Sequence, residues 1–186
     1  MKLMHSYDQT QVLKSFKILV DTREQRNARS EQRYIQFGDV PYERKTLQVG
    51  DYAYDIILPD GRHIVDQTAK SVMPLISVER KRDLSELLGC FRAKKKAQFE
   101  RELQRAKDAN CKLIILVENG SLDDIYEKKY RSKMSPDVVM SYLEAYRARY
   151  DVSFVFISET HAGEYIKDTL FRHMKEKLES GFFDGI

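Results

Sequence analysis

Glu79 and Lys81 close an apolar run, Leu75-Ile76-Ser77-Val78, and stand two residues apart. On a strand that spacing turns both side chains to one face and Arg80 to the other. A carboxylate and an ammonium at the end of a buried strand carry a desolvation cost unless they are paired, solvated or bound to an ion, and a cleft is one solution. Two upstream turns supply further carboxylates. Asp21 ends the first apolar strand ahead of Thr22-Arg23-Glu24, and Asp51 follows Gly50 where the chain turns into another strand. Up to four carboxylates, Asp21, Glu24, Asp51 and Glu79, can therefore meet at strand ends. At neutral pH such a group repels itself, and a hard divalent cation with oxygen ligands is the natural compensation. Magnesium, held by one or two carboxylates and several waters, would activate an attacking water and neutralise charge on a phosphoryl oxygen. Lys81 would orient that water or stabilise the developing charge. An Asp well upstream of Glu-x-Lys on a strand is the pattern of metal-dependent phosphodiesterases.

The elements that must position these groups are readable in outline. Lys17 to Val20 is a short β-rich run, Ser30 to Phe37 is helical, and Tyr42 to Gln48 with Tyr52 to Leu58 reads as a strand pair around Gly50. His63 to Val65 is a weak strand and Leu75 to Lys81 a strong one. Asp83 to Phe91 and Lys94 to Ala109 are helices, the second with Phe99, Leu103 and Ala106 at core-facing spacing. Lys112 to Glu118 is almost wholly apolar, as a strand covered on both faces would be. Pro136 opens a helix carrying Val139, Tyr142, Leu143 and Tyr146; Val152 to Ile157 is a strand, and Ala162 to Leu178 is a long amphipathic helix. A β-rich first half followed by alternating helix and strand predicts an α/β fold, a mixed sheet with helices on both faces. A second Glu-x-Lys, Glu43-Arg44-Lys45, follows Val40-Pro41 rather than a buried strand and is read as an exposed strand without catalytic function.

Composition narrows the class. The 186 residues, 42% hydrophobic and 33% charged with 8 Gly and 4 Pro, describe one globular domain, with its core over about 17–180 and short flexible ends. Cys90 and Cys111 are too few for a disulfide framework and form no zinc-binding cluster, so a reducing, cytoplasmic setting is expected. The longest apolar run, Leu113 to Val117, is far short of a membrane span, and Met1 to Ser6 lacks the features of a signal peptide. Net charge is only +3, but Arg80 to Lys107 holds ten basic residues against four acidic ones, a local excess that would line a phosphate track.

Three segments together, Ile18-Leu19-Val20-Asp21-Thr22-Arg23-Glu24-Gln25, Thr46-Leu47-Gln48-Val49-Gly50-Asp51-Tyr52 and Ile76-Ser77-Val78-Glu79-Arg80-Lys81, resemble the XPF-type excision-repair nuclease domain family. With the strand from Cys111 to Asn119 the resemblance spans roughly residues 17 to 160. It implies a restriction-endonuclease-like fold and cleavage of branched DNA with a divalent metal, Mg2+ or its substitute Mn2+. It further implies Asp51 and Glu79 as metal ligands, joined by Asp21 in one reading, with Lys81 catalytic and Asp21, Arg23, Glu24 and Arg80 supporting the site. The family usually places an Asp four residues after the motif lysine. This chain has Ser85 there, with Asp83 and Glu86 as substitutes nearby. The chain ends with a single helix after residue 160, as in compact stand-alone forms of bacteria and phages.

Within that frame Lys94, Lys95 and Lys96 become the expected DNA contacts, with Arg92 and Gln98 weaker candidates. Lys128, Lys129, Arg131 and Lys133 are read as a solvated loop, and Tyr126 and Tyr130 as packing residues. His5, His63, His161 and His173 align with no motif. The expected function is a magnesium-dependent endonuclease on flaps, forks or junctions, acting alone, as a homodimer or with a DNA-binding partner protein, and away from membranes. The alternative is a non-catalytic DNA- or partner-binding module that retains the fold; the intact Asp51, Glu79 and Lys81 set favours the enzyme.

Overall fold

The apolar runs become strands β1 (Lys17–Val20), β2 (Tyr42–Arg44), β3 (Tyr52–Asp55), β4 (Ile76–Lys81), β5 (Lys112–Glu118) and β6 (Ser153–Ile157). In the structure, a computed structural model describing residues 9–184, they form one mixed sheet in the order β2-β1-β3-β4-β5-β6. His5, the start Met1 to Ser6 and the last two residues of the expected tail lie outside the described residues. Strands β4, β5 and β6 are parallel, with Glu79 opposite Ile115 and Lys81 opposite Val117. Parallel neighbours need long crossovers. Helices α3 (Leu84–Gly89) and α4 (Ala93–Asp108) lead from β4 to β5, and α5 (Leu122–Tyr126) and α6 (Pro136–Tyr150) from β5 to β6.

Strand alternation distributes the core between two faces. Ile76, Val78, Ile114 and Leu116 pack on one side with α2 (Ala28–Gln36) and α7 (Ala162–Glu179), burying Phe37, Ile166, Leu170 and Met174. Leu113, Ile115 and Val117 pack on the other with Leu87 of α3, Leu103 of α4 and Leu143 of α6. Glu79 and Lys81 accordingly face α4, and Arg80 faces α2. The expected sheet with helices on both faces is present, and its boundaries lie within a few residues of those read from the pattern.

Four expectations are corrected. The strand pair around Gly50 does not form. Strand β2 instead runs parallel to β1 at the sheet edge, and β3 runs antiparallel on the other side of β1, so β1 separates the two segments. Residues 45–49 form no strand; Leu47 makes one isolated bridge, to Val72, and the chain bends at residues 48–50. His63 contributes only one isolated bridge, to Ile57, in place of a strand. The start is not uniformly loose, since α1 (Gln9–Lys14) forms and buries Val12. The tail is also packed, because Phe183 joins the α2 and α7 core.

Candidate active site

Gly50 fixes where Asp51 sits. Its φ is +71°, and a Cβ there would lie 2.1 Å from the Ser77 hydroxyl on β4, so only glycine lets the loop approach so closely. The loop is then stitched to both neighbouring strands. The Asp51 N–H donates to the Val78 carbonyl at 2.9 Å, and the Asp51 carbonyl accepts from the Asp21 N–H at 2.8 Å. The Asp51 carboxylate accepts the Arg80 N–H at 2.8 Å, which aims it at the end of β4 beside Glu79.

Burial raises the proton affinity of Asp51 well above the ordinary carboxylate range, and the charges of Glu79 and Glu24 add to the effect. Glu79 is raised as well, first by burial and then by Glu102 and Glu86, although Lys81 opposes the shift. Lys81 donates a short hydrogen bond to Glu79 and lies over the Phe99 ring, 5.7 Å from its centroid. Burial works against the charge of Lys81, but Glu79 outweighs it, and the ammonium is held protonated. Two adjacent carboxylates that resist ionisation and one firmly cationic lysine therefore share a single strand end.

Asp21 takes a different position. Its carboxylate accepts the Arg23 N–H at 2.7 Å, Arg23 Nε at 2.8 Å, Arg23 Nη2 at 2.9 Å and the Leu47 N–H at 2.7 Å. Burial would raise its pKa, but these bonds together lower it. Both oxygens serve to hold the loop after β1, and Arg23 extends the brace by donating to the Leu47 carbonyl at 2.7 Å.

Glu24 and Arg80 turn into a buried network on the α2 face. Arg33 donates to Glu24 at 2.8 Å, to Glu118 at 3.2 Å and to the Tyr52 hydroxyl at 3.0 Å. Arg80 reaches the same two carboxylates, each at 3.3 Å. Two guanidiniums and two carboxylates are thus neutralised together, and Tyr52 adds a hydrogen bond to Glu24 at 3.2 Å.

Sequence reasoning missed three of these residues. Arg33 reads as a surface position on a charged helix, Glu118 as a strand end without a motif, and Tyr52 as the last residue of a motif segment with no role of its own. Glu102 was also missed. It accepts the Gly50 N–H at 3.1 Å and adds its charge beside Glu79; the available signal was an acidic residue next to core-facing Leu103 in a strongly basic helix.

The substitutes near Ser85 act locally. Asp83 caps α3 by accepting the Glu86 N–H at 2.9 Å, and the Glu86 carboxylate accepts the Arg82 N–H at 2.7 Å. The second Glu-x-Lys lies away from the pair: Glu43 bonds Lys17 at 2.6 Å, and Lys45 donates to the Gln67 carbonyl at 2.8 Å. Its central Arg44 supports the site indirectly, donating to the carbonyls of Thr22 and Glu24.

The three candidate lysines do not share a face, as consecutive helical residues cannot. Lys95 borders an open cleft with Arg80 and Arg82, whereas Lys96 lies 3.9 Å from Glu100 and over the Tyr142 ring. Arg92 is held by Ser132. Lys129 pairs with Glu127 in the later loop, and the Tyr130 hydroxyl bonds the Met134 carbonyl. His63 contacts Asp55, His161 contacts Glu164 and His173 contacts Tyr54.

Among the described residues, no three His, Cys, Asp or Glu side chains form a ready-made metal cage. Asp51 and Glu79 nevertheless suit magnesium, which takes one or two carboxylates and keeps waters or substrate phosphates as its other ligands. Their raised proton affinities are what an added cation would relieve. No helix among the described residues is long and apolar enough to cross a membrane.

Comparison with solved structures finds XPF from Aeropyrum pernix at a TM-score of 0.56 and 18% identity, covering 85% of this chain and 61% of that one. XPF from Aeropyrum pernix in complex with DNA matches equally, at a TM-score of 0.56 and 18% identity over 86% of this chain and 65% of that one. The chain therefore spans less than two-thirds of the length of either structure, and the likeness establishes the fold, the restriction-endonuclease-like α/β architecture of the XPF nuclease domain. No curated protein matches the chain in sequence. The ERCC4 domain model matches residues 20–169, which takes in Asp21, Asp51, Glu79 and Lys81, and the chain belongs to the ERCC4 domain family.

Proposed function

We propose that the chain is a divalent-metal-dependent endonuclease that hydrolyses phosphodiester bonds in branched DNA. The observation that carries this reading is the pairing of Asp51 with Glu79 at the end of β4. Both are hindered from ionising by burial, Asp51 further by the charge of Glu79 and Glu79 by that of Glu102, and cationic Lys81 lies alongside. Lys81 offsets only part of that hindrance, and a further positive charge would favour the ionised form of both carboxylates. Asp51 and Glu79 would hold Mg2+, with Mn2+ as its substitute, and the bound ion would neutralise charge on the scissile phosphate.

The remaining steps belong to the protein. The Arg80 N–H keeps the Asp51 carboxylate pointed at Glu79. Lys81 is protonated, so it is not the base that takes a proton from water. Its N–H groups instead orient the attacking water or bind a phosphoryl oxygen as negative charge grows there. Aromatic Phe99 beneath the ammonium and Glu79 beside it restrict where that charge can move. Membership of the ERCC4 domain family and the XPF nuclease fold support the choice of DNA as substrate.

The test incubates purified protein with labelled single-stranded, duplex, flap, fork and four-way DNA, with Mg2+, with Mn2+ and in chelator. Metal-dependent cutting of branched forms is expected, with loss of cutting in Asp51→Asn and Glu79→Gln while the circular dichroism spectrum is unchanged. Full activity in chelator, or undiminished cutting by either variant, would overturn the assignment. Tight DNA binding with no cutting under any metal would instead identify a non-catalytic binding module.

A further inference from the structure

Beside the Asp51 and Glu79 pair, the surface opens into a cleft of about 710 Å3 between the start of α2 and the segment running from the end of β4 into α4. Arg29 stands on the α2 wall, and Arg82, Ser85, Glu86 and Lys95 stand on the other. The cleft adjoins the candidate site, since Arg80, whose N–H holds the Asp51 carboxylate, reaches its wall and the Glu86 charge acts on Glu79.

We propose that this cleft is a channel for one DNA strand, binding its phosphates next to the bond to be cut. The proposal rests on the endonuclease reading for its biological role but not for its physical basis. The charge of Arg80 is already balanced by Glu24 and Glu118. That leaves three cations, Arg29, Arg82 and Lys95, against one carboxylate, Glu86, which is committed to the Arg82 N–H. The pairs that hold the two arginines are weak, exposed ones. Arg29 lies 3.6 Å from Glu159 and Arg82 3.1 Å from Asp83, and both arginine side chains are more than half exposed, at 52% and 56%. Exposed pairs of this kind contribute little to stability, so a phosphate can displace the carboxylate at small cost. Ser85 adds a neutral hydroxyl to the wall without opposing an anion.

The size of the cleft selects among nucleic-acid forms. A volume of this order encloses a small ligand or a few linked atoms of one strand, whereas a duplex would rest across its mouth. No aromatic side chain lines it. Binding should then come from phosphates, be indifferent to base sequence and weaken steeply with salt. A strand that enters only where it has separated from its complement would favour forks and flaps over continuous duplex.

The experiment measures fluorescence anisotropy of a labelled twelve-residue oligothymidine and of a duplex of the same length, in chelator, at several salt concentrations. The variants are Arg29→Ala/Arg82→Ala/Lys95→Ala and, separately, Ser85→Asp. A control removes three cations of α7 outside the cleft, Lys167→Ala/Arg172→Ala/Lys175→Ala. The channel predicts about a tenfold or greater loss of oligothymidine affinity in the triple variant and a salt slope smaller by roughly 2, near 0.7 for each of three lost contacts on a single strand. Ser85→Asp should lose several-fold, the control should stay within twofold, and duplex affinity should fall less than that of the oligothymidine.

A triple variant indistinguishable from the control would overturn the channel. Equal losses on both DNA forms would do the same, as would polyglutamate displacing the oligothymidine at matched charge, which would mark an acidic-peptide site. Cleavage by wild type with Mg2+ is scored separately. Cutting retained with oligothymidine binding insensitive to the triple variant removes the channel and leaves the nuclease. Binding sensitive to the triple variant without any cutting removes the nuclease and leaves the channel.

Discussion

Replacing Arg33 by methionine tests whether the site is held from behind by the buried charge network. The arginine is 2% exposed at its side chain, and its partners Glu118 and Glu24 are 0% and 9% exposed. The wild-type group contains two guanidiniums and two carboxylates and is neutral. Methionine fills much of the same volume but leaves two carboxylates facing Arg80 alone, a net buried charge of minus one. Removing one partner of such a group costs about 3–5 kcal/mol. A typical domain has roughly 5–15 kcal/mol of stability in all. At a urea dependence of about 2 kcal/mol per molar, the unfolding midpoint should fall by roughly 2 M. Activity of the folded fraction should also fall, because Arg80 is drawn toward the unbalanced carboxylates and its N–H is the group that aims Asp51.

The same charge count gives the decisive control. Glu118→Gln alone leaves a net plus one, whereas Arg33→Met/Glu118→Gln leaves Arg80 facing Glu24 and restores neutrality. The double variant should be more stable than the sum of the two single losses by about 1–3 kcal/mol. Urea titrations of the four proteins, followed by circular dichroism, measure it. An Arg33→Met loss below about 1 kcal/mol, or strict additivity in the double variant, would refute the network as a charge-balanced unit.

Three other outcomes follow from the geometry. Asp51 has a raised pKa when folded, so its favourable contribution is present at acid pH, below the unfolded value, and is lost as pH rises through the folded value. In chelator, Asp51→Asn should therefore flatten the fall in melting temperature between pH 5 and 8 and melt higher than wild type at pH 8, and added Mg2+ should stabilise wild type more than the variant. Lys81→Met should keep DNA binding but lose most of the cleavage rate, whereas Lys45→Met should stay within a few-fold; equal losses in a kinetic comparison would mean the two triplets were misassigned. Gly50→Ala must strain a left-handed backbone, costing roughly 1–3 kcal/mol, and also push against Ser77, so thermal unfolding should show a clear loss together with reduced cleavage.

What was legible in the sequence was local. Alternation along β4 put Glu79 and Lys81 on one face because a strand's side-chain period is two whatever surrounds it. The burial of β5 on both faces was readable for the same reason, and so was the opening of α6 at Pro136. Partnership between distant segments was not readable. Gly50 looked like the turn of a hairpin, since a glycine between two β-rich runs ordinarily is one. Its positive φ serves instead to bring the loop against Ser77, and β1 takes the place between β2 and β3. Arg33, Glu118 and Glu102 were hidden because each belongs to a different element, and nothing in the local pattern of a charged helix or a strand end says which carboxylate a buried guanidinium will meet. The two groups of missed residues bear on the site from opposite sides. Glu102 and the Gly50 loop crowd negative charge toward Glu79, while Arg33 and Arg80 gather Glu24 and Glu118 behind the strand. One face of β4 is thereby left short of positive charge and the other is neutralised, so a cation entering this region is drawn to the Asp51 and Glu79 face. The motif residues supply the proposed ligands, and the residues outside the motifs determine where the unbalanced charge remains.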